Sequence, residues 1–294
     1  MKLLTRDKTV PCNFRYKVFE PVTAIEPGET ILVETINHMT PVVKSKNDLH
    51  SFGTPEYRER EETGPIYVNG AKPGDALAIH IGKIEMVGLP HAHGVSESML
   101  LKTRKAVAFP IQNNRCQLSG NLSIPVSPMI GDIYTTPLSE PQYYDHGGNM
   151  DFTEIKPGNT LYLPVFREGG LLVLGDVHAA QGDGELLGEG AECAADVTVT
   201  IDIDRKNCSP RPLIETPTHW ITLACRGSFM ESKQLAIADM IRLLQKLYSI
   251  NEEDARTLCL LSGSLRIAGT VAYDSWMKEP IVTISVSKDI KKES

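Results

Sequence analysis

A short, acid-rich window at residues 175–192 contains the side chains of this sequence that are best suited to chemistry. It reads GDVHAAQGDGELLGEGAE, and its polar members are Asp176, His178, Gln181, Asp183, Glu185, Glu189 and Glu192. Residues two apart on a strand point to the same side, so Asp176 and His178 can converge on one point. Such a pair can bind a metal, or the carboxylate can orient the imidazole in an acid–base pair. Glycines on both sides of Asp183 allow a sharp turn that would aim Glu185 at the same point.

A second polar segment, HGGNMD at residues 146–151, has a composition that suits ligand contact. Its glycines, among them Gly148, allow a ligand to approach the backbone closely. His146, Asn149 and Asp151 are therefore predicted to form a second wall of the pocket.

Two strands are predicted to position the acid-rich window. The apolar run at 171–174 is typical of a buried strand, and the alternating run at 197–203 is typical of a strand with one polar face. A loop at the end of such a strand is held by a rigid sheet, as reactive side chains require. Glu192 has the parity of the polar face that includes Asp196 and Asp202. A solvated strand face therefore explains Glu192 almost as well as a role in the site does.

The other histidines are weaker candidates. The His-Ala-His stretch at residues 91–93 has the spacing of two metal ligands, but a proline and a glycine flank it, which favours a surface loop. His80 is predicted to lie on the exposed face of a sheet. His38 and His50 lie in or near a polar stretch at 39–63 that is predicted to be a long loop or lid.

Nucleophilic and organic-cofactor chemistry receive little support from the sequence. It contains no G-x-S-x-G elbow, no dinucleotide fingerprint, no phosphate-binding P-loop and no H-E-x-x-H pattern. Cys193 follows the window directly, but no Lys or Arg within the window would lower the pKa of its thiol. We therefore predict a buried, inert thiol and expect no organic cofactor.

Short strands with Gly and Pro turns extend from about residue 10 to residue 205 and predict a mainly β fold, as a sandwich or barrel. A β-rich body at 1–212 would carry the site loop, and an α+β segment at 213–294 would pack on it. Ser249 with Glu252 is typical of a capping box that opens a helix. The predicted elements of the second segment are helices at 232–248 and 252–261 and strands at 265–272 and 280–286.

The composition limits the partners and the location of the protein. The chain has 294 residues, 41% hydrophobic and 23% charged, and its net charge of −7 gives nucleic acid no electrostatic attraction. No segment approaches the ~20 apolar residues that span a bilayer, and the N-terminus lacks an apolar signal core. Its six cysteines show no paired spacing and are expected to be reduced. We expect a cytoplasmic protein without membrane or nucleic-acid partners.

The acid-rich window also resembles the signature of the acetamidase/formamidase family, in which a GD-x-HA-x-QGDGE core precedes a short spacer and a Glu. GPIYVNGAKPGD at residues 64–75 and GGNMD at residues 147–151 are similar to two further stretches of that family, in the same order. The resemblance implies hydrolysis of a small amide such as formamide or acetamide. It also implies a jelly-roll-like β unit with added β and α/β elements, and a homo-oligomer.

Amide hydrolysis requires an activated water, a polarised carbonyl and protonation of the leaving amine. Asp176 and His178, with Asp151 or His146, could hold a divalent metal that lowers the pKa of bound water, with zinc as the first candidate and calcium as the second. The same residues could instead act as a metal-free acid–base relay. Glu185 is the candidate general base and later proton donor. The full assignment is Glu185, Asp183 and Asp151 as catalytic residues, Asn149, Gln181 and Gly148 as substrate contacts, and Asp176, His178 and His146 as metal ligands.

Two other classes of protein fit part of this pattern. A non-enzymatic jelly-roll protein could use Asp176, His178 and the neighbouring acids only to bind a metal or a small ligand. A cupin-like metal oxygenase needs two histidines and one carboxylate on one metal, and the second histidine has no assigned residue. Release of ammonia from amides separates the hydrolase from the binding protein, and dependence on ferrous iron and O₂ identifies the oxygenase.

Overall fold

The structure, a computed structural model, describes residues 1–11, 16–37, 42–49, 61–92, 106–118, 121–186, 188–206, 209–268 and 280–291. Within these residues the chain is mainly β, which confirms the predicted class. The first ten strands are β1 (Lys2–Leu4), β2 (Thr9–Pro11), β3 (Thr23–Ile25), β4 (Glu29–Glu34), β5 (Glu61–Val68), β6 (Ala76–Ala92), β7 (Val107–Ala108), β8 (Ile111–Gln112), β9 (Arg115–Gln117) and β10 (Ser123–Pro125). The others are β11 (Met129–Thr135), β12 (Gly147–Asn149), β13 (Thr160–Pro164), β14 (Leu172–His178), β15 (Glu192–Asp204), β16 (Leu213–Glu215), β17 (His219–Ala224), β18 (Ser264–Ala268) and β19 (Ile281–Ser287). The helices are α1 (Phe229–Tyr248) and α2 (Glu252–Ser262).

One large sheet holds most of these strands. Its order is β12-β11-β14-β15-β6-β13-β16-β17-β19-β18, with β4 also paired to β15 and β5 also paired to β14. Strands β8, β9 and β10 form a separate small sheet. The described strands do not close into a barrel, and the jelly-roll arrangement stays a prediction.

The strand that carries the start of the acid-rich window lies inside the large sheet. β14 pairs with β11 and β5, and all seven of its residues are buried. This burial explains its continuous apolar sequence. The strand continues beyond the predicted run at 171–174 and ends with His178. β15 begins at Glu192, ahead of the predicted start at Val197, and Glu192 lies opposite His178 in the β14–β15 ladder.

A single apolar cluster connects the two ends of the large sheet. It includes Leu174 of β14, Phe152 next to the second polar segment, and Ala268 of β18. Phe152 is fully buried, and the removal of such a side chain from water contributes about 1.5–3 kcal/mol. The last strand in the sheet order therefore packs close to the segments that carry the polar residues.

The C-terminal strands extend the same sheet. β13 pairs with β16, with Leu161 opposite Ile214, and the order continues through β17, β19 and β18. α1 and α2 pack on these strands in a second apolar cluster that includes Trp220 and Leu244. The division of the chain at residue 212 stays a prediction.

The start of α1 and the capping residue of α2 differ from the predictions. α1 begins at Phe229 and not at Ser232, because the Ser228 hydroxyl accepts a hydrogen bond from the backbone N–H of Glu231 at 3.2 Å. The predicted capping box at Ser249 is wrong. Ser249 ends α1 in the left-handed conformation (φ 50°), and Asn251 caps α2.

Other parts of the predicted layout are corrected or lie outside the described residues. Glu61, Glu62 and Thr63 belong to β5, so the predicted loop at 39–63 ends earlier than expected. His38, His50 and His93 lie outside the described residues, as does the stretch after Ala268 that was predicted to extend β18. In the described parts of the chain, no helix has the length and apolar character needed to cross a membrane.

Candidate active site

Asp176 and His178 meet at the end of β14. The Nε2 atom of His178 lies 3.2 Å from the Oδ1 atom of Asp176, and neither side chain is more than 2% exposed. Gly190 makes room for the imidazole, because a Cβ atom at that position would lie 2.5 Å from Nδ1 of His178. The alternation of the strand therefore brings the two polar groups together, as the spacing predicted.

Glu192 is part of the same site, and the solvated-face interpretation of this residue is wrong. Its Oε1 atom lies 3.1 Å from Nε2 of His178, and its side chain is 7% exposed. The first four residues of β15 are buried, and the polar face becomes partly exposed only from Asp196 onward. Parity alone could not reveal this change along one strand.

The second polar segment contributes Asp151. Asp151, Asp176 and His178 each offer an atom that could hold a metal ion, and these atoms lie within 4.8 Å of one another. The amide of Asn149 donates to Oδ2 of Asp151 at 2.7 Å and orients that carboxylate. Gly131 of β11 lies beneath the acids, and a Cβ atom there would lie 2.8 Å from Oδ1 of Asp151 and 2.7 Å from Oδ2 of Asp176.

The loop after β14 adds Gln181 and Glu185. Gln181 bridges the two polar segments, since its Nε2 atom donates to the backbone oxygen of Asp151 at 2.7 Å and its Oε1 atom contacts Nδ1 of His178. Glu185 is 6% exposed and forms a second possible ligand group with His178 and Glu192, whose atoms also lie within 4.8 Å of one another. The two groups share His178.

Three site carboxylates have left-handed backbone conformations. The φ angles are 44° at Asp151, 53° at Asp176 and 42° at Glu185. Such a conformation costs on the order of 1–3 kcal/mol for a residue with a side chain, and it persists where the surroundings enforce it. Concentration of this strain on the acids of one cluster is typical of a functional site.

The electrostatics of the cluster are those of a buried site with excess negative charge. Burial opposes the charge on His178, but the carboxylates of Glu192 and Asp176 prevail and raise the pKa of its imidazole well above the ordinary value. Burial raises the pKa of Glu192 to about 8, with Asp176 and Glu185 adding to the rise and His178 opposing it. A cation or bound protons must therefore compensate the acids.

His146 and Asp183, which were predicted as a metal ligand and as a catalytic residue, lie outside both ligand groups. His146 is buried and packs edge-on against Tyr134, with ring centroids 5.9 Å apart. Gly148 lies beside it, and a Cβ atom at Gly148 would lie 3.6 Å from Nε2 of His146. Asp183 forms an ion pair with Arg266 of β18.

His91 and Cys193 flank the site in the sheet. The surface-loop prediction is wrong for His91, which belongs to β6, is 1% exposed and lies opposite Glu192 in the ladder. β6 continues through Pro90, one of the residues that suggested a loop, and ends at Ala92. His80 is exposed, as predicted. Burial raises the pKa of the Cys193 thiol to about 12, which agrees with the prediction of an inert cysteine.

A partly open pocket of about 470 Å³ borders the acid-rich loop. Gln181, Glu185 and Gly190 form part of its lining. Its remaining wall is largely apolar and includes Phe109 and Ile124. The pocket gives a small molecule a route toward the otherwise buried acids.

The sequence and the fold of this chain both match those of known proteins. The sequence profile of the acetamidase/formamidase family matches residues 4–112 and 89–240, which confirms the resemblance of the three motifs. A 42-residue stretch is 48% identical to the formamidase of Methylophilus methylotrophus and covers 14% of this chain and 10% of that protein. The crystal structure of an acetamidase from Bacillus halodurans superposes with a TM-score of 0.82 at 31% identity over 97% of both chains. A predicted acetamidase/formamidase from Thermoanaerobacter tengcongensis gives 0.85 at 29% identity, over 97% of this chain and 95% of that one.

Proposed function

The chain belongs to the acetamidase/formamidase family, and we propose that it hydrolyses a small aliphatic amide, of the formamide or acetamide type, to a carboxylate and ammonia. The observation that carries this proposal is the buried group of four carboxylates around His178, which adjoins a pocket wide enough for a small amide. Hydrolysis by water needs groups that deprotonate the water and protonate the amine, and these residues supply several.

The residues fit a divalent metal. Nε2 of His178 lies 3.1 Å and 3.2 Å from the nearest oxygens of Glu192 and Asp176, which is the spacing of neighbouring ligands that each lie roughly 2.0–2.2 Å from one zinc ion. Oε2 of Glu192 is buried and has no hydrogen-bond partner in the described part of the chain. His178 would hold the ion either with Asp176 and Asp151 or with Glu192 and Glu185. When bound, it would lower the pKa of a water and polarise the amide carbonyl.

An imidazole in the ligand set favours zinc over calcium, since calcium takes oxygen ligands. Assignment of His178 as a ligand requires the neutral imidazole, and the acids around it favour the protonated form when no ion offsets their charge. The same residues therefore support the second possibility, a metal-free relay in which the His178 imidazolium and Glu192 exchange protons with substrate and water.

Glu185 is the residue to which we assign proton transfer with the reacting water. It belongs to the cluster and also lines the pocket, so its carboxylate lies between the buried acids and the space for substrate. Gln181 holds His178 and Asp151 together, and we assign it to orientation of the cluster as well as to the pocket wall. Asn149 orients the Asp151 carboxylate in the same way.

The two alternative classes receive less support from this arrangement. A cupin-like oxygenase needs two histidines on one metal. Among the described residues, each ligand group contains a single histidine, His178. A binding protein would use the same cluster without turnover. A homo-oligomer in the cytoplasm stays part of the proposal.

The decisive experiment measures ammonia release from a panel of short amides. Protein is assayed as purified, after chelation, and after addition of zinc or calcium, with Glu253→Gln on the exposed surface of α2 as a control for handling. Loss of activity on chelation and recovery with one ion supports the metal-assisted hydrolase. Activity that chelation leaves unchanged supports the relay. Absence of ammonia under all conditions would refute the proposed function.

A further inference from the structure

Arg266 is distant from the acid-rich loop in sequence, but its guanidinium contacts that loop directly. Its Nη2 atom donates to Oδ1 of Asp183 at 2.6 Å and its Nε atom donates to Oδ2, which makes a two-pronged ion pair. The same Nη2 donates to the hydroxyl of Thr153 at 2.8 Å, and Nη1 donates to Glu154 at 3.1 Å. One side chain of β18 therefore binds two separate segments.

Both of these segments carry a carboxylate of the candidate site. Asp151 precedes Thr153 by two residues, and Glu185 follows Asp183 by two residues. The guanidinium also lies 5.2 Å from the ring centroid of Phe152, which fixes its approach from the β18 side. Only one residue lies between Asp151 and Thr153, and only one lies between Asp183 and Glu185. We therefore expect a shift of the guanidinium to move Asp151 and Glu185.

Gln181 and Asp183 connect this loop to other parts of the fold. Glu185 has φ 42° and its backbone hydrogen bonds are to Gly182 and Gly188 within the same loop. Gln181 fixes the start of the loop to the cluster, and Asp183 fixes its middle to Arg266 and to the hydroxyl of Thr153 at 2.7 Å. Both oxygens of Asp183 are thereby occupied.

We propose that Arg266 is a positioning residue, which holds Glu185 beside His178 and Glu192, and Asp151 beside Asp176, by joining Asp183 to Thr153 and Glu154. This inference rests on the proposed amide hydrolysis for its effect on rate. The inference gives Asp183, predicted above as a catalytic residue, the role of binding the Arg266 guanidinium. Strand β18, near the C-terminal end of the chain, thus supports the site that β14 and β15 form.

The test compares Arg266→Ala, Arg266→Lys and Asp183→Asn with the control Arg256→Ala, which removes an exposed arginine paired to Glu252 on α2. Steady-state ammonia release is measured well below the unfolding temperature of each variant. We expect Arg266→Ala to lower kcat about 10- to 100-fold with KM little changed, because a displacement of about 1 Å costs up to that much. Arg266→Lys should recover only part of the rate, since an ammonium cannot form the fork.

Two further readouts separate positioning from simple loss of stability. Millimolar guanidinium should raise the kcat of Arg266→Ala and leave that of Arg256→Ala unchanged. The double variant Arg266→Ala with Asp183→Asn should be no slower than the more affected single variant, because both changes break one bridge. Wild-type kcat in folded Arg266→Ala, or additive losses in the double variant, would overturn the inference.

A substrate-free measurement keeps this inference distinct from the proposed function. Amide hydrogen exchange of residues 151–154 and 182–186 should be faster in Arg266→Ala than in the wild type and in Arg256→Ala. Unchanged exchange would overturn the inference whatever the activity. Failure of the wild type to release ammonia, with faster exchange in the variant, would refute the proposed reaction and leave the bridge in place.

Discussion

Gly190→Ala tests whether the position of the His178 ring controls the reaction. The added Cβ atom would lie 2.5 Å from Nδ1 and 2.7 Å from Cγ of His178, whereas ordinary contacts begin at 3.4 Å. The ring must therefore move by close to 1 Å. It is completely buried and bound to Asp176 and Glu192, so any movement disturbs those contacts. A misplacement of this size predicts a fall in kcat of about 100-fold, and the crowding predicts a loss of about 1–3 kcal/mol in the free energy of unfolding.

The same loop offers a matched control for this variant. Gly182 has no atom within 4 Å of an added Cβ and no positive φ, so Gly182→Ala should keep both the stability and the kcat of the wild type. The assay is ammonia release at saturating amide, with urea unfolding of each variant at the same pH. Full activity in Gly190→Ala would refute the role of the ring position, as would an equal loss in Gly182→Ala.

Three further predictions concern protons and the buried ion pairs. Glu185→Gln should lower kcat by about 10²–10⁴-fold, and ammonia release at the level of the wild type would remove Glu185 from proton transfer. The pKa of Glu192 is raised from 4.5 to about 8. In chelated protein, the stabilising contribution of protonated Glu192 is therefore complete below pH 4.5 and is lost as the pH rises to about 8. The stabilising contribution of protonated His178 is complete below pH 6.5 and declines as the pH rises above that value. Urea unfolding across this range should show a smaller decline in Glu192→Gln than in the wild type, and equal slopes would contradict the shift. Arg211→Ala should cost about 2 kcal/mol of unfolding free energy, because the buried Asp239 loses its two-pronged partner and keeps only the exposed Arg242. A change below about 1 kcal/mol would show that the pair with Arg211 stabilises little.

Local patterns in the sequence were sufficient to predict that Asp176 and His178 lie together at a strand end. Residues two apart on a strand are expected to project to one side, and Asp176 and His178 do meet in the structure. The family motifs pointed to the same window. Hydrophobic periodicity also located α1, which begins three residues earlier than predicted because Ser228 caps it. α2 begins at Glu252 as predicted, but its cap is Asn251 and not Ser249.

Patterns of the same kind failed where the environment changes along an element. Glu192 and Asp202 lie on one strand with one parity, yet Glu192 is buried beside His178 and Asp202 is exposed. His91 appeared to belong to a loop because of its neighbours, but β6 continues through it. Burial of a strand face depends on which distant segments cover it, and the residues next to Glu192 or His91 in sequence do not encode that.

The sequence by itself determined the class of fold, the strand-end pair of Asp176 and His178, and the family. These depend on spacing over a few residues, where backbone geometry alone relates one side chain to the next. Only the tertiary structure brought Glu192 against His178 and paired Asp183 with Arg266, the contact on which the proposed bracing role of Arg266 rests. Contacts between residues far apart in the chain depend on how the whole sheet folds back on itself, and so they cannot be obtained from local spacing.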